Sequence, residues 1–247
     1  MKLRAAVVTE RNIEILRKNC ELDFFSPRES VSDAERLSYD AVFLVVPTSE
    51  EALRLWTGHP HLRCVLDKKE LEAEIDFIFR SVELEYKFLI EMPDFKRLEK
   101  YYPSCSEIEQ VYLNGEEGSH RIRKRVISGI TLCVETVKTK TDGIARSETE
   151  TSISEDEYYS KLKNADPEKH PIVKRRYCFV FKNKYFELDV YPFWNERAVL
   201  ELELKDENEE FTIPPEINVI RDVTEDKRYK NSYLAGVKYE DYSAYVL

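Results

Sequence analysis

Residues 82–90 read VELEYKFLI, and this stretch decides the fold. Alternate side chains of a strand point to opposite faces, so Glu83, Glu85 and Lys87 share one face and apolar side chains occupy the other. A single strand of this kind is typical of a half-buried surface sheet. Because the charge pattern recurs on at least four later strands, the sequence predicts a sheet that aims its charges inward and closes around a polar tunnel.

Rows of like charge at a spacing of two residues follow along the chain. They are Arg121, Arg123 and Arg125; Glu148 and Glu150 after Arg146; Lys174 and Arg176; Glu187 and Asp189; and Glu201 and Glu203. Any one pair is compatible with an ordinary solvated sheet face, but like charges on one face repel unless an opposite charge lies between them. Paired carboxylates suit Mg²⁺ or Mn²⁺, whereas rows of arginine and lysine suit phosphate oxygens. Together they indicate a metal-bound polyphosphate.

The pattern of apolar residues predicts an α+β fold, in which an eight-stranded antiparallel β-barrel with flanking helices follows a small N-terminal α/β unit. In residues 1–80 we predict strands at 3–9, 40–47 and 61–66 and helices at 49–56 and 68–82. Residues 81–247 form the barrel domain, whose predicted strands are 82–90, 107–113, 120–126, 129–138, 144–153, 173–181, 184–191 and 198–204.

Turn and cap signals divide the predicted barrel. Turns are indicated at Asn183 and at the glycines 115 and 143. A capping box at residues 154–157, with Ile153 and Tyr158 as a hydrophobic staple, predicts the start of a helix. A last helix is predicted from a Thr224 cap to a Gly236 stop.

Composition limits the classes of function. The 247 residues carry a net charge of −10, and an acidic chain is a poor general nucleic-acid binder. Five scattered cysteines without a CxxC pair indicate reduced thiols, and neither a signal peptide nor a membrane span is recognisable, so we expect a cytoplasmic protein without stable membrane insertion. The few histidines do not group at ligand spacing, which argues against zinc.

The charged motifs, taken in order, resemble the CYTH superfamily, also called triphosphate tunnel metalloenzymes. ELEYK matches the ExExK signature, and the likeness continues through RIRKR, ETVK, RSETETSISEDEY, VKRRYCF, YFELDVY, LELEL and VTEDKRYKNSYLA, over residues 82–236. The phrases YDAVFLVV and WTGHPHLRCVLD are similar to the tail of a P-loop NTPase domain that precedes this barrel in some larger proteins. The glycine-rich phosphate loop is absent here, so a structural or interaction role is expected for residues 1–80.

The CYTH resemblance implies a tunnel that hydrolyses or cyclises a triphosphate with Mg²⁺ or Mn²⁺. It implies catalytic roles for Glu83, Glu85, Lys87 and Glu150. The residues implied to hold the triphosphate are Lys87, Arg121, Arg123, Lys138, Arg146, Lys174 and Arg176. Those implied to hold metal are Glu83, Glu85, Glu148, Glu150, Asp189, Glu201 and Glu203.

Three functions are compatible with these expectations. The leading one is a metal-dependent triphosphatase that releases the terminal phosphate of inorganic tripolyphosphate or a small organic triphosphate. The alternatives are a class IV-type adenylate cyclase and a non-catalytic binder of phosphorylated ligands or lipid head groups. The expected partner is a triphosphate-containing small molecule and not a nucleic acid. The exact triphosphate, the number of metal ions and a homodimeric state are left open.

Overall fold

The computed structural model describes residues 3–11, 13, 15, 20–78, 84–114, 119–140, 146–204 and 209–237. For residues 3, 76–78, 84, 138–140 and 146–148 it describes the backbone alone. Glu83 therefore lies outside the described residues, as do the turn glycines Gly115 and Gly143. The predicted boundary near residue 80 also falls outside them, and the division into two domains stays a prediction.

The first part of the chain forms a four-stranded parallel sheet in the order β2-β1-β3-β4. Its strands are β1 (Leu3–Val8), β2 (Cys20–Phe25), β3 (Ala41–Val45) and β4 (Leu62–Val65), and its helices are α1 (Asp33–Arg36), α2 (Glu50–Trp56) and α3 (Lys68–Ile78). We call residues 3–78 the N-terminal unit. Three of these strands were predicted. Strand β2 was not predicted, because its acidic side chains Glu21 and Asp23 interrupt the apolar run at the edge of the sheet.

The parallel sheet is covered on both faces, which explains its continuous apolar strands. All five residues of β3 are buried. Ala52 and Trp56 of α2 join the core on one face, while Leu71 and Ile75 of α3 join the core on the other. Val180, from the second part of the chain, also belongs to the α2 side of this core.

The rest of the chain forms one large antiparallel sheet of nine strands in the order β13-β5-β12-β11-β10-β6-β7-β8-β9. The strands are β5 (Leu84–Glu91), β6 (Ser104–Tyr112), β7 (Ser119–Ile127), β8 (Ile130–Lys140), β9 (Arg146–Ile153), β10 (Ile172–Phe181), β11 (Lys184–Val190), β12 (Arg197–Leu204) and β13 (Val219–Asp222). The helices are α4 (Phe95–Leu98), α5 (Glu155–Lys161) and α6 (Asn231–Leu234). Each of the eight predicted strands is present.

The sheet differs from the predicted barrel in two respects. Within the described residues its edge strands β9 and β13 do not pair with each other, so a closed eight-stranded barrel is not confirmed. The ninth strand, β13, was missed because four largely exposed residues show no alternation of apolar and polar side chains.

The two faces of the antiparallel sheet have opposite character. Phe88, Phe179 and Phe186 lie on the outer face in an apolar core that Leu98 of α4 completes. Tyr158 of α5 packs on the outer face farther along, against Ile122 of β7. The inner face carries most of the predicted charges, and we call it the charged face.

The charged face has two ends. At the near end, Ser104 begins β6 and Ile127 ends β7. At the far end, side chains of the same face become apolar and form a buried cluster with the C-terminal segment. This far-end cluster includes Leu89, Tyr112, Ile172, Tyr191, Val199, Trp194, Tyr229 and Leu234.

Two local signals were read correctly. Lys182 and Asn183 have φ angles of 44° and 63° and form the tight turn between β10 and β11. The Ser154 hydroxyl accepts a hydrogen bond from Glu157 N while the Glu157 carboxylate accepts one from Ser154 N, the predicted capping box.

The predicted start of the last helix at Thr224 was wrong, whereas its predicted end is confirmed, because α6 (Asn231–Leu234) stops just before Gly236. Thr224 Oγ1 instead accepts a 3.0 Å hydrogen bond from Lys87 N, a 3-10 turn covers Lys227–Tyr229, and α6 begins only at Asn231. The cap-like Thr224 therefore attaches the C-terminal segment to β5. No helix within the described ranges has both the length and the apolarity needed to cross a membrane.

His59 makes the stability of the fold depend on pH. Its ring is fully buried, Nε2 lies 3.0 Å from Tyr39 O, and His61 N donates to Nδ1 at 3.1 Å, which fits the neutral ring with its proton on Nε2. Burial, and next the charge of His61, lowers the pKa of His59 to about 3. Below pH 6.5, the ordinary pKa of histidine, His59 is protonated in the unfolded chain but stays neutral in the folded chain. Lowering the pH therefore favours the unfolded state.

We expect this histidine to remove about 2 kcal/mol of stability between pH 7 and pH 5. Urea unfolding of the wild type and His59→Gln at both pH values measures the effect. We expect His59→Gln to be less stable than the wild type at pH 7, but its free energy of unfolding should fall less than that of the wild type between pH 7 and pH 5. An equal loss in both proteins would contradict the assignment.

Candidate functional site

The strand register places the predicted charges on one face. Residues directly opposite each other on paired strands share a face, and Lys87 lies opposite Glu201, which lies opposite Glu187. In the same way Arg176 lies opposite Asp189. Toward the other edge of the sheet, Thr136 lies opposite both Arg121 and Glu150. The alternation read from single strands therefore produces one continuous charged face.

An acidic wall forms where β5, β12 and β11 run side by side. Glu85 lies opposite Glu203, and Glu201 lies opposite Glu187, so two pairs of like charges face each other across the strands. Such pairs are destabilising unless cations lie between them. The charge of Glu201, followed by burial, raises the pKa of Glu85 to about 7. The Glu85 side chain is 49% exposed and lies 3.8 Å from Lys87 Nζ.

Arg176 connects the acidic wall to β10. Its Nε and Nη2 each donate to Asp189 at 2.7 Å, Nη2 also donates to Glu201 at 2.6 Å, and Nη1 donates to Glu187. All five N–H bonds of a guanidinium lie in one plane, so one arginine can serve three carboxylates. Burial acts to lower the pKa of Arg176, but the charges of Asp189, Glu187 and Glu201 outweigh it and raise the pKa well above its ordinary value.

Two lysines complete this buried network. Lys87 Nζ lies 2.6 Å from Glu201 Oε1, and Lys174 Nζ donates to Asp189. Burial acts to raise the pKa of Glu201, but the nearby charges of Lys87, Arg176 and Lys174 hold it well below its ordinary range. Asp189 is fully buried, and both its oxygens accept hydrogen bonds from Lys174 and Arg176. In the structure Asp189 thus orients the cations around it.

The basic wall on β7 has a different character. Arg123 Nη2 donates to Gln110 Oε1 at 3.3 Å, and Arg125 Nε donates to Ser106 Oγ at 3.0 Å. No carboxylate in the described part of the chain lies within ion-pair distance of either guanidinium. Burial, and next the charges of Arg121 and Arg176, lowers the pKa of Arg123 to about 10. Among the described side chains neither cation has a carboxylate in direct contact, which is a property of anion sites.

The basic wall lies close to β10. Arg125 Nη2 donates to Cys178 Sγ at 3.4 Å, so the arginine side chain reaches from β7 across β6 to β10. The sheet is therefore curved around its charged face, which brings cations of one wall near carboxylates of the other. Arg125 appears in the sequence as the third member of the RIRKR row, but only this contact identifies it as part of the site.

The remaining predicted site residues lie on β8 and β9 or outside the described residues, and a side chain is described only for Glu150. Glu150 of β9 is 34% exposed. Lys138 pairs with Glu148 in the backbone register of β8 and β9, and Arg146 begins β9, but these three side chains, like all of Glu83, lie outside the described residues. Their roles stay predictions.

Two residues that the sequence analysis did not select reach the site from the N-terminal unit. Arg63 Nη2 lies 2.9 Å from each carboxylate oxygen of Glu203. His61 Nε2 lies 3.9 Å from Glu150 Oε1. Arg63 and Glu203 are 140 positions apart, and a local sequence pattern cannot predict a contact over such a separation.

The carboxylate oxygens of the acidic wall are of the chemical type that binds a hard divalent cation. The described side chains contain no ready-made group of three histidine, cysteine or acidic residues at metal-binding distance. The opposed carboxylates of Glu85 and Glu203 nonetheless supply the oxygen ligands that Mg²⁺ and Mn²⁺ prefer. The nearby charge of Glu201, which raises the pKa of Glu85, is repulsion that a bound cation would relieve.

Removal of the central arginine tests the buried network. Arg176→Met leaves three carboxylates without their shared cation, and we expect a loss of about 3 kcal/mol in the free energy of unfolding. Arg175→Met is the matched control, because Arg175 is exposed and only 3.7 Å from the exposed Glu107, and it should cost less than about 0.5 kcal/mol. Chemical denaturation at neutral pH measures both. Equal losses would show that the network does not stabilise the sheet.

No protein-family model and no curated protein matches the chain. Among solved structures, the chain is similar to the inorganic triphosphatase NE1496, with 26% identity over 64% of this chain and 97% of that chain and a TM-score of 0.46. It is also similar to putative adenylate cyclases from Bacillus halodurans (16% identity, 51% of this chain, 82% of that chain, TM-score 0.36) and Vibrio parahaemolyticus (15% identity, 51% and 78%, TM-score 0.36).

All three TM-scores are below 0.5, so these likenesses assign neither a family nor an activity to this chain.

Proposed function

We propose that the protein is a metal-dependent triphosphatase that hydrolyses inorganic tripolyphosphate or a small organic triphosphate on its charged face. The observation that carries this proposal is that the cations of the two walls differ in whether they contact carboxylates. The cations of the acidic wall are neutralised by Asp189, Glu187 and Glu201, whereas Arg123 and Arg125 have no carboxylate partner in the described part of the chain. An anionic ligand would supply the missing charge.

The basic wall would hold the phosphate chain. Arg121, Arg123 and Arg125 lie on one face of β7, and successive members are about 7 Å apart along the strand. Lys138 and Arg146 are proposed to extend this clamp. Lys174 and Arg176 are proposed to act from β10, held in position by Asp189. The clamp neutralises phosphate charge that would otherwise repel an approaching nucleophile.

The acidic wall would hold Mg²⁺ or Mn²⁺ through Glu85 and Glu203, with Glu83 and Glu148 as further proposed ligands. When bound, such a cation would neutralise negative charge on the phosphate oxygens. Lys87 is fixed beside Glu201 by a 2.6 Å contact and by the Thr224 hydrogen bond to its backbone, so its ammonium group is positioned between the carboxylates. Glu201 is proposed to orient Lys87 in addition to its predicted metal role.

Glu150 is the proposed general base. Its partly exposed carboxylate would accept a proton from a water molecule while the water oxygen bonds to the terminal phosphorus. The bond from that phosphorus to its bridging oxygen breaks, and the shortened chain leaves with the bond's electron pair. Phosphate is thereby released without a covalent enzyme intermediate, since positioning and electrostatics suffice for phosphoryl transfer.

Loss of one acidic-wall carboxylate tests the catalytic proposal. We expect the wild type to release phosphate from tripolyphosphate only with Mg²⁺ or Mn²⁺, and Glu85→Gln to be slower by about a hundredfold. Glu107→Gln, which alters a 68% exposed carboxylate, should retain full activity. Phosphate release by malachite green and product identification by ion chromatography measure the reaction.

Two results would contradict triphosphate hydrolysis. One is the absence of phosphate release from every triphosphate tried with either metal. The other is conversion of ATP to cyclic AMP and diphosphate, which identifies the cyclase alternative. Full activity of Glu85→Gln would remove Glu85 from the catalytic group while leaving the reaction intact.

Anion binding by the basic wall has its own test. Tripolyphosphate should raise the melting temperature of the wild type in the presence of EDTA, because it binds only the folded state. Arg123→Met should abolish most of this shift. The matched control is Lys124→Met, which removes a neighbouring cation that lies 3.7 Å from Glu109 beside α5. Equal shifts in both variants would exclude Arg123 from the anion site, and a shift without turnover would favour the non-catalytic binder.

A further inference from the structure

The N-terminal unit sits on the near end of the charged face. Tyr185 OH donates to the carbonyl oxygens of Thr57 at 3.3 Å and His59 at 3.2 Å. Gly58 lies between them, and a Cβ placed there would be 2.7 Å from Ile127 Cδ1 and 3.2 Å from Ser104 Oγ. Because these partners begin or end strands of the large sheet, the unit covers that end of the sheet at close range.

From this position β4 reaches both flanks of the charged face. Arg63 contacts Glu203 on β12, and His61 approaches Glu150 on β9. In the order of the sheet, β12 lies third from one edge and β9 is the opposite edge. The two N-terminal residues are only about 7 Å apart along the chain. The curved sheet therefore brings its flanks together beneath β4, and the N-terminal unit bridges the opening between them.

Arg63 lies between a carboxylate of its own unit and a carboxylate of the large sheet. Its Nε lies 4.0 Å from Glu74 Oε2, and Glu74 is 1% exposed. Its Nη2 points to Glu203, whose side chain is 30% exposed. The guanidinium therefore presents donors at the boundary between the two parts of the chain, beside a carboxylate of the acidic wall.

The contact is not sealed on all sides. A cavity of about 200 Å³ lies at the junction, and its lining includes Arg63, Glu203, Lys182, Lys184 and Glu209. The whole lining carries three cations, Arg63, Lys182 and Lys184, and four carboxylates, Glu70, Glu74, Glu203 and Glu209. The cavity therefore provides space beside Arg63, and a ligand can approach the guanidinium without separating the N-terminal unit from the sheet.

The opposite end of the charged face is closed as well. The far-end cluster places Tyr112, Ile172 and Tyr191 across it, and Leu234 of the C-terminal segment packs on them. Along β12 the charged face runs from Val199 in that cluster to Glu203 beneath Arg63, a length of about 13 Å. Both ends are therefore bounded, and the space between them suits a short phosphate chain better than a long polymer.

We propose that Arg63 and His61 form an end wall of the substrate site, where Arg63 binds the outermost phosphate group and the N-terminal unit limits the length of the phosphate chain. This inference rests on the proposed triphosphate site and adds its size selectivity. It gives residues 3–78 a role in substrate recognition that does not require a nucleotide site of their own.

Binding and turnover together test the end wall. Isothermal titration calorimetry with tripolyphosphate in EDTA compares the wild type, Arg63→Ala, Arg63→Lys, His61→Ala and the control Arg28→Ala, which alters an exposed arginine of the same unit. Phosphate release from tripolyphosphate and from a long-chain polyphosphate is measured with Mg²⁺ for the same proteins. Thermal melting confirms that each variant is folded.

We expect Arg63→Ala to weaken tripolyphosphate binding about tenfold, since a charge-assisted hydrogen bond is lost, and Arg63→Lys to restore part of it. His61→Ala should have a smaller effect. The ratio of long-chain to tripolyphosphate turnover should rise in Arg63→Ala and not in Arg28→Ala. If Arg63→Ala does not fold, Arg63→Lys and His61→Ala provide the same comparison.

Several outcomes overturn the end wall. Unchanged affinity and chain-length preference in the Arg63 variants would reduce the Glu203 contact to an ion pair between the two parts of the chain. Faster tripolyphosphate turnover by Arg63→Ala would identify an inhibitory contact instead. In both cases a wild type that binds and hydrolyses tripolyphosphate leaves the proposed function standing. A wild type that neither binds nor hydrolyses it overturns both proposals.

Discussion

The structure depends on the buried contacts of Arg176 with three carboxylates. A sheet that places Glu187, Glu201 and Asp189 on one face would repel itself if no cation lay between them. Arg176 and the two lysines beside it remove that repulsion, and their burial makes each contact stronger than it would be in water. The network therefore holds four neighbouring strands, β5, β12, β11 and β10, in register and at the same time assembles half of the proposed site.

The other half of the charged face, the basic wall, differs in the partners of its cations. Within the described residues Arg123 and Arg125 are held by the neutral groups of Gln110, Ser106 and Cys178 and by no carboxylate. A neutral support of this kind orients a cation while keeping its charge for a ligand. The contrast between the two walls explains why stability and anion binding are assigned to different residues of one continuous face.

The N-terminal unit is connected to this arrangement through its own core. Val180 from the large sheet belongs to the core beside α2, and the segment around Gly58 packs against strand ends with no room for a side chain. An element so firmly seated can carry Arg63 to the charged face with a defined geometry. The C-terminal segment performs the corresponding closure at the far end, where Thr224 is bonded to β5 and Tyr229 lies in the apolar cluster.

The sequence was enough to predict the strands and the face on which each charge lies, because alternation with a period of two is a local property of an extended chain. It therefore predicted all eight strands of the barrel region and placed Lys87, Arg176 and Glu201 together. The folded arrangement was needed to show that the sheet has a ninth strand and, within the described residues, no pairing between its edge strands. It was also needed to show that Thr224 bonds to β5 instead of starting a helix and that Arg63 meets Glu203. These outcomes depend on curvature and on contacts between residues more than a hundred positions apart, for which neighbouring residues in the sequence carry no signal.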